Sequence, residues 1–159
     1  MQNHDLTHQR ARVLCLDDDP NVLAIVSALL GASGFIVEVC SDASTCEAHA
    51  ARFAPHALLV DVSVVSDSAP GLIGALRSRG APVVLFSALE ERRLAALAEQ
   101  LGATGYLSKQ DPTKLVARLE ELLRSHRSQS EREPAMPSRS DEVGTTWREV
   151  RARRSRGHE

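Results

Sequence analysis

Residues 13–20 read VLCLDDDP, four apolar residues followed by three aspartates and a proline. So short an apolar run suits a strand buried on both faces better than a helix. Asp19 then sets a capping carboxylate before Pro20, a proline at the first position of a helix. Outward from this stretch the same unit recurs. Further apolar runs lie at Phe35–Val39, Ala57–Val60, Pro82–Phe86 and Gly105–Leu107. Between them Val22, Ile25, Val26, Leu29 and Leu30 keep a helical period, as do Leu94, Leu97, Ala98 and Leu101, and Leu115, Val116, Leu119, Leu122 and Leu123. Weaker stripes at Ala43–Phe53 and Leu72–Leu76 bring the expectation to five strands alternating with five helices. That alternation predicts an α/β domain, a parallel sheet covered on both faces.

The punctuation agrees with the pattern. Asp111-Pro112 repeats the cap-proline signal, Ser44 with Glu47 and Ser87 with Glu90 have the spacing of capping boxes, and Gly34, Gly80 and Gly102 fall where helices should stop. Residues 1–11 are polar and aperiodic and read as a flexible leader, leaving 12–125 for the folded domain. From about Ser125 the chain turns to Ser, Arg, Glu and Pro, so 126–159 reads as a disordered tail.

Bulk composition excludes several classes. Of 159 residues, 43% are apolar, enough for one core, and the net charge of −2 offers no general affinity for nucleic acid or acidic membrane. Cys15, Cys40 and Cys46 lack metal-ligand spacing and read as small core residues. No apolar stretch approaches the roughly 20 residues that span a bilayer, and the polar start lacks the hydrophobic segment of a signal peptide, so a soluble cytoplasmic protein is expected. Charge is uneven along the chain: nine arginines face six acids over 124–159, so the tail is basic and the domain acidic.

The chemistry lies at the strand ends. In open parallel sheets ligands bind beyond the carboxyl ends of the strands. Asp17, Asp18 and Asp19 end the first strand, Asp61 the third in ALLVDV, Ser87 the fourth in VVLFSA, and Lys109 the fifth in GYLSK. Carboxylates so gathered repel one another unless a cation neutralises them, and their oxygens suit octahedral Mg²⁺. Together with an ammonium and a hydroxyl group, such an ion can stabilise a phosphoryl group passing in line to a carboxylate.

At these residues the chain resembles the receiver domain of two-component response regulators. The DDDP turn, the solitary Asp61, FSA and GATGYLSK carry the likeness, which covers about Arg12 to Ser125. The resemblance implies a flavodoxin-like, doubly wound (βα)5 sheet of order 2-1-3-4-5. It implies that Asp17, Asp18, Asp61 and the backbone carbonyl of Ser63 hold Mg²⁺. It further implies that Asp61 accepts a phosphoryl group from a phosphohistidine of a histidine kinase or histidine phosphotransfer protein. Ser87 and Lys109 would bind the phosphoryl oxygens, and Tyr106 would turn with Ser87 to alter the output face. Such a protein is no enzyme in the ordinary sense, although it assists its own Mg²⁺-dependent phosphorylation and dephosphorylation. Asp19 reads as a helix cap rather than a ligand.

Two departures from the family pattern stand out. Val65 occupies a position where proline is common, and VSVVSDSAPG (62–71) makes the stretch after Asp61 atypical. Gln110 follows Lys109 where proline is usual, so a trans bond is expected. With no second domain expected after the last helix, the favoured reading is a single-domain regulator acting through protein contact, with no membrane partner. In the tail, Val143, Trp147 and Val150 have the spacing of a short docking helix. The rivals are a pseudo-receiver that binds without being phosphorylated, and a receiver whose basic tail contacts nucleic acid.

Overall fold

The structure is a computed structural model that describes residues 11–66 and 71–132. Strands β1 (Arg12–Leu16), β2 (Ile36–Cys40), β3 (Ala57–Asp61), β4 (Val83–Ser87) and β5 (Gly105–Ser108) form one sheet in the order β2-β1-β3-β4-β5. Every pairing is parallel, so all five carboxyl ends lie along one edge. The helices are α1 (Pro20–Ala32), α2 (Ala43–Phe53), α3 (Val62–Ser66), α4 (Leu72–Arg77), α5 (Glu91–Leu101) and α6 (Leu115–Arg132), the last entered through a 3-10 turn at Pro112–Lys114.

Alternation along the strands builds two cores. Val13, Cys15, Leu59, Val84 and Phe86 point to one face, where α1 contributes Leu23, Val26 and Leu30 and α6 contributes Leu115, Leu119 and Leu123. Leu14, Leu16, Leu58, Val60, Val83 and Leu85 point to the other, covered by Cys46 and Ala50 of α2, Ile73 and Leu76 of α4, and Leu94 and Ala98 of α5. Burying each such leucine contributes roughly 1.5–3 kcal/mol. The apolar runs are therefore continuous because β1, β3 and β4 are covered on both faces. Edge strand β2 differs, with Ile36 and Val39 exposed.

Local signals held in part. Asp19 caps α1 by accepting from the Asn21 amide at 2.9 Å, with Pro20 in the first turn. Gly102 ends α5 at φ 71°, a left-handed conformation that a side chain would strain. The two capping boxes do not form. Asp42, not Ser44, caps α2, because its carboxylate accepts from both the amide (2.9 Å) and the hydroxyl (2.7 Å) of Ser44. Helix α5 begins only at Glu91, beyond the reach of Ser87.

The helix count also departs from expectation, six α-helices and a 3-10 turn among the described residues instead of five helices. Val62 and Val65, three apart, are both buried, so a helical turn starts directly after β3 and precedes α4. Residues 126–132, assigned by composition to the tail, continue α6, where His126 Nε2 meets Gly80 O at 2.9 Å and Ser128 Oγ bonds Arg124 O at 3.1 Å. The compact unit carrying the sheet closes at Ser128. The leader up to residue 10, residues 67–70 of the atypical loop, and the tail from 133 with its candidate docking helix lie outside the described residues. All three cysteines are free and buried, and burial first, then Asp17, pushes the Cys15 thiol up to about 12.

Glu38 pins β2 to α2 by accepting from His49 Nδ1 at 2.6 Å and from Arg52. The His49 hydrogen bond holds its carboxyl below the usual range against desolvation, with Arg52 adding to the effect. A depressed folded value means that the pin contributes fully above the unfolded pKa of about 4.3 and is lost as pH falls through the folded value. Glu38→Gln is therefore expected to flatten the acid limb of stability measured by urea denaturation below pH ~4.3. An unchanged acid limb would show that the pin contributes nothing.

Candidate functional site

Parallel strands deliver Asp17 just past β1, Asp61 at the end of β3, Ser87 at the end of β4 and Lys109 just past β5 to one edge of the sheet. Asp17 and Asp61 are buried, at 0% and 4% exposure. Asp17 Oδ1 accepts from the Asp19 amide at 2.9 Å, so the acidic turn itself orients the carboxylate. Lys109 Nζ lies 3.0 Å from Asp61 Oδ1 and 2.5 Å from Asp17 Oδ2, bridging the two. Its contact with Asp17 is an ion pair without hydrogen-bond alignment, so this buried oxygen keeps a lone pair with no aligned donor. Burial alone would lower the Lys109 pKa, but the two carboxylates more than offset it and hold the ammonium above its ordinary value. The ammonium also sits 5.5 Å from the Phe86 ring centre.

Asp17, Asp18 and Asp61 each present a carboxylate oxygen within 4.8 Å of the others, Asp18 from the solvent side. Hard oxygen donors grouped so closely, two of them on buried residues, fit a small divalent cation that keeps some of its waters. Ser63 lies in the first turn of α3, where its hydroxyl donates to Asp61 Oδ2. The family resemblance points only to the carbonyl of Ser63. The hydroxyl contact depends on a helix starting directly after β3, which the atypical loop sequence did not announce.

Ser87 and Tyr106 have contacts of their own. Ser87 is buried, but its hydroxyl accepts from the Leu89 amide at 3.2 Å, within its own loop. Tyr106 is half-buried opposite Leu85 in the β4–β5 register and borders a cleft of about 340 Å³ with Glu91, Gln110, Lys114 and Arg118. Gln110, joined to Lys109 by the expected trans bond, donates its amide to Ser108 Oγ and its Nε2 to Ala88 O, both at 3.1 Å.

A family model described as the response regulator receiver domain matches residues 13–120. The chain belongs to this receiver family. Among known proteins, the DNA-binding response regulator MtrA of Mycolicibacterium smegmatis is 30% identical over 128 residues, covering 79% of this chain and 54% of MtrA. The transcriptional regulatory protein PrrA of Mycobacterium tuberculosis is 35% identical over 118 residues, covering 71% of this chain and 50% of PrrA. This receiver chain thus spans about half the length of the curated relatives it matches. Among solved structures, the BeF3-activated N-terminal receiver domain of RstA from Klebsiella pneumoniae superposes with a TM-score of 0.64 at 30% identity, over 71% of this chain and 98% of that one. Chemotaxis protein CheY4 of Vibrio cholerae shares the fold, with a TM-score of 0.63 at 24% identity over the same shares of each chain. Among the described residues no helix is long and apolar enough to cross a membrane.

Removing the ammonium would leave two buried carboxylates facing each other. Breaking one side of a buried ion pair typically costs about 3–5 kcal/mol, and part of that is recovered when the orphaned partner is neutralised as well. Lys109→Met is expected to lower stability in metal-free urea denaturation by ~3 kcal/mol. The Lys109→Met/Asp17→Asn double variant should lose clearly less than the sum of its singles; simple additivity would mean that the two residues are not coupled.

Proposed function

We propose that this receiver is a phosphoacceptor switch in which Asp61 takes a phosphoryl group from a phosphohistidine of a histidine kinase or histidine phosphotransfer protein. The observation that carries the reading is Asp61 itself, a buried carboxylate bonded to Lys109 and Ser63 beside the carboxylates of Asp17 and Asp18. An Asp61 oxygen attacks phosphorus in line, the phosphorus–nitrogen bond breaks, and the donor imidazole leaves and regains its neutral form. To react, the carboxylate must give up hydrogen bonds it now accepts. The Lys109 ammonium then passes from Asp61 to a phosphoryl oxygen, a short transfer from its position 3.0 Å away. Ser87, whose hydroxyl oxygen accepts from the Leu89 amide, keeps its O–H to donate to another phosphoryl oxygen. Asp17, Asp18, Asp61 and the Ser63 carbonyl would hold Mg²⁺, which when bound supplies positive charge to the phosphoryl oxygens.

The proposal extends to organisation and output. The sheet with helices α1–α6 acts as the receiver, and the segment after α6 as its tail, in the cytoplasm. Signalling goes through protein contact at the face bearing Tyr106, whose ring responds to Ser87. Nucleic-acid contact is reserved for the tail. The chain assists its own phosphorylation and dephosphorylation and turns over no other substrate.

Incubation with Mg²⁺ and a small-molecule phosphodonor such as acetyl phosphate should add the mass of one phosphoryl group, read by intact-protein mass spectrometry, and Asp61→Asn should abolish the gain. A protein that stays unlabelled while a control receiver is labelled would leave only the pseudo-receiver reading. Separately, Mg²⁺ should raise the thermal midpoint by mass action, worth ~2.7 kcal/mol at a hundredfold excess over its dissociation constant. Asp18→Asn should remove most of that gain; an equal gain in the variant would take Asp18 out of the ligand set.

A further inference from the structure

The three buried cysteines divide between the two cores. Cys15 points with Val13 to the face covered by α1 and α6. Cys40, which ends β2, and Cys46, in the first turn of α2, belong together to the opposite core, beside Leu14, Leu16 and Ala50. Only residues 41–45 separate them, and their thiols meet: a hydrogen bond joins the two side chains where α2 packs on β2. Two thiols in contact have a chemistry that a single buried cysteine lacks, because each can resolve an oxidised form of the other. The phosphoryl chemistry described above makes no use of either.

We propose that Cys40 and Cys46 are a modification site, a dithiol that a small oxidant of the peroxide class converts to a reversible intramolecular disulfide. Cys40 is the entry point, since it keeps 5% exposure at the end of an edge strand while Cys46 has none. So narrow an opening suits a small oxidant rather than a protein. The Cys40 sulfur attacks one peroxide oxygen, the oxygen–oxygen bond breaks, and the products are a sulfenic acid on Cys40 and water or an alcohol. The Cys46 sulfur then attacks the Cys40 sulfur, the sulfur–oxygen bond breaks, and water leaves with the thiol proton. In sum the two thiols give up two electrons and two protons, and the peroxide takes both. Because the resolving thiol is already in contact, the bridge forms ahead of oxidation to a sulfinic acid. Cys40 O also accepts from the Asp17 amide at 3.1 Å, so the bridge would form directly beside the acidic turn. The inference does not depend on phosphorylation of Asp61.

The test treats the folded full chain with hydrogen peroxide, alkylates the remaining thiols in denaturant, and reads intact mass and peptides without reduction. Cleavage before aspartate separates the three cysteines, because Asp17 lies between Cys15 and Cys40 and Asp42 between Cys40 and Cys46. Alkylatable thiols are expected to fall from three to one, with a cross-link between the Cys40 and Cys46 peptides. Dithiothreitol should restore all three. Cys15→Ala should still form the bridge, whereas Cys46→Ala should stop at a sulfenic acid on Cys40 that dimedone traps. Three thiols left under conditions that oxidise a control dithiol protein would overturn the proposal. So would a bridge that includes Cys15 or joins two chains, and so would one that forms only after unfolding in urea. These readings come from the wild-type chain, so they stand even where a core variant fails to fold.

Discussion

Two buried carboxylates, Asp17 and Asp61, face one ammonium group across the carboxyl edge of the sheet. Bringing them together without Lys109 would be unfavourable, since like charges in a poorly solvated setting repel strongly. The architecture follows from this constraint. Strand β1 ends just before Asp17, β3 ends at Asp61, and β5 ends just before the cation that compensates both. Because β1 and β3 are neighbours while β5 lies two strands from β3, the lysine must extend across β4, and it does so over the Phe86 ring.

The same edge holds two kinds of contact with different purposes. Bonds within the acidic turn, such as Asp19 N to Asp17 Oδ1, fix a carboxylate where it is needed. Others, such as Leu89 N to Ser87 Oγ and Ser63 Oγ to Asp61 Oδ2, satisfy acceptor oxygens near the strand ends. The first kind preorganises the site. Strands β1, β3 and β4 are covered on both faces, and most of these contacts lie just beyond their ends.

Much of the fold was legible because its signals are local. Four or five apolar residues in a row announced strands, and stripes such as Leu115, Leu119 and Leu123 announced a helix face. Caps were less reliable, because Asp42 and Ser44 compete for one helix start and the carboxylate accepts from both donors of the serine. Helix α3 was missed because its two buried valines make less than a full stripe and gain their meaning only from the sheet face they cover. The end of α6 was misplaced because exposed Ser, Arg and Glu look alike in a helix and in a tail. Composition alone does not report the bond between His126 and Gly80.

By itself the sequence determined the alternation of strands and helices and the identity of the polar groups at the strand ends, since periodicity and residue chemistry are properties of short stretches. It placed Asp17, Asp61, Ser87 and Lys109 each at the end of a strand, and a parallel sheet brings such ends to one edge. Only the tertiary structure decided which of them touch. Lys109 bridges Asp17 and Asp61, Ser63 turns its hydroxyl to Asp61, and Ser87 stays with Leu89. The tie from Gln110 to Ala88 spans 22 residues of sequence and exists because β4 and β5 are neighbours. Contacts of this kind depend on register and side-chain reach across strands, and neither is written in any one segment of the chain.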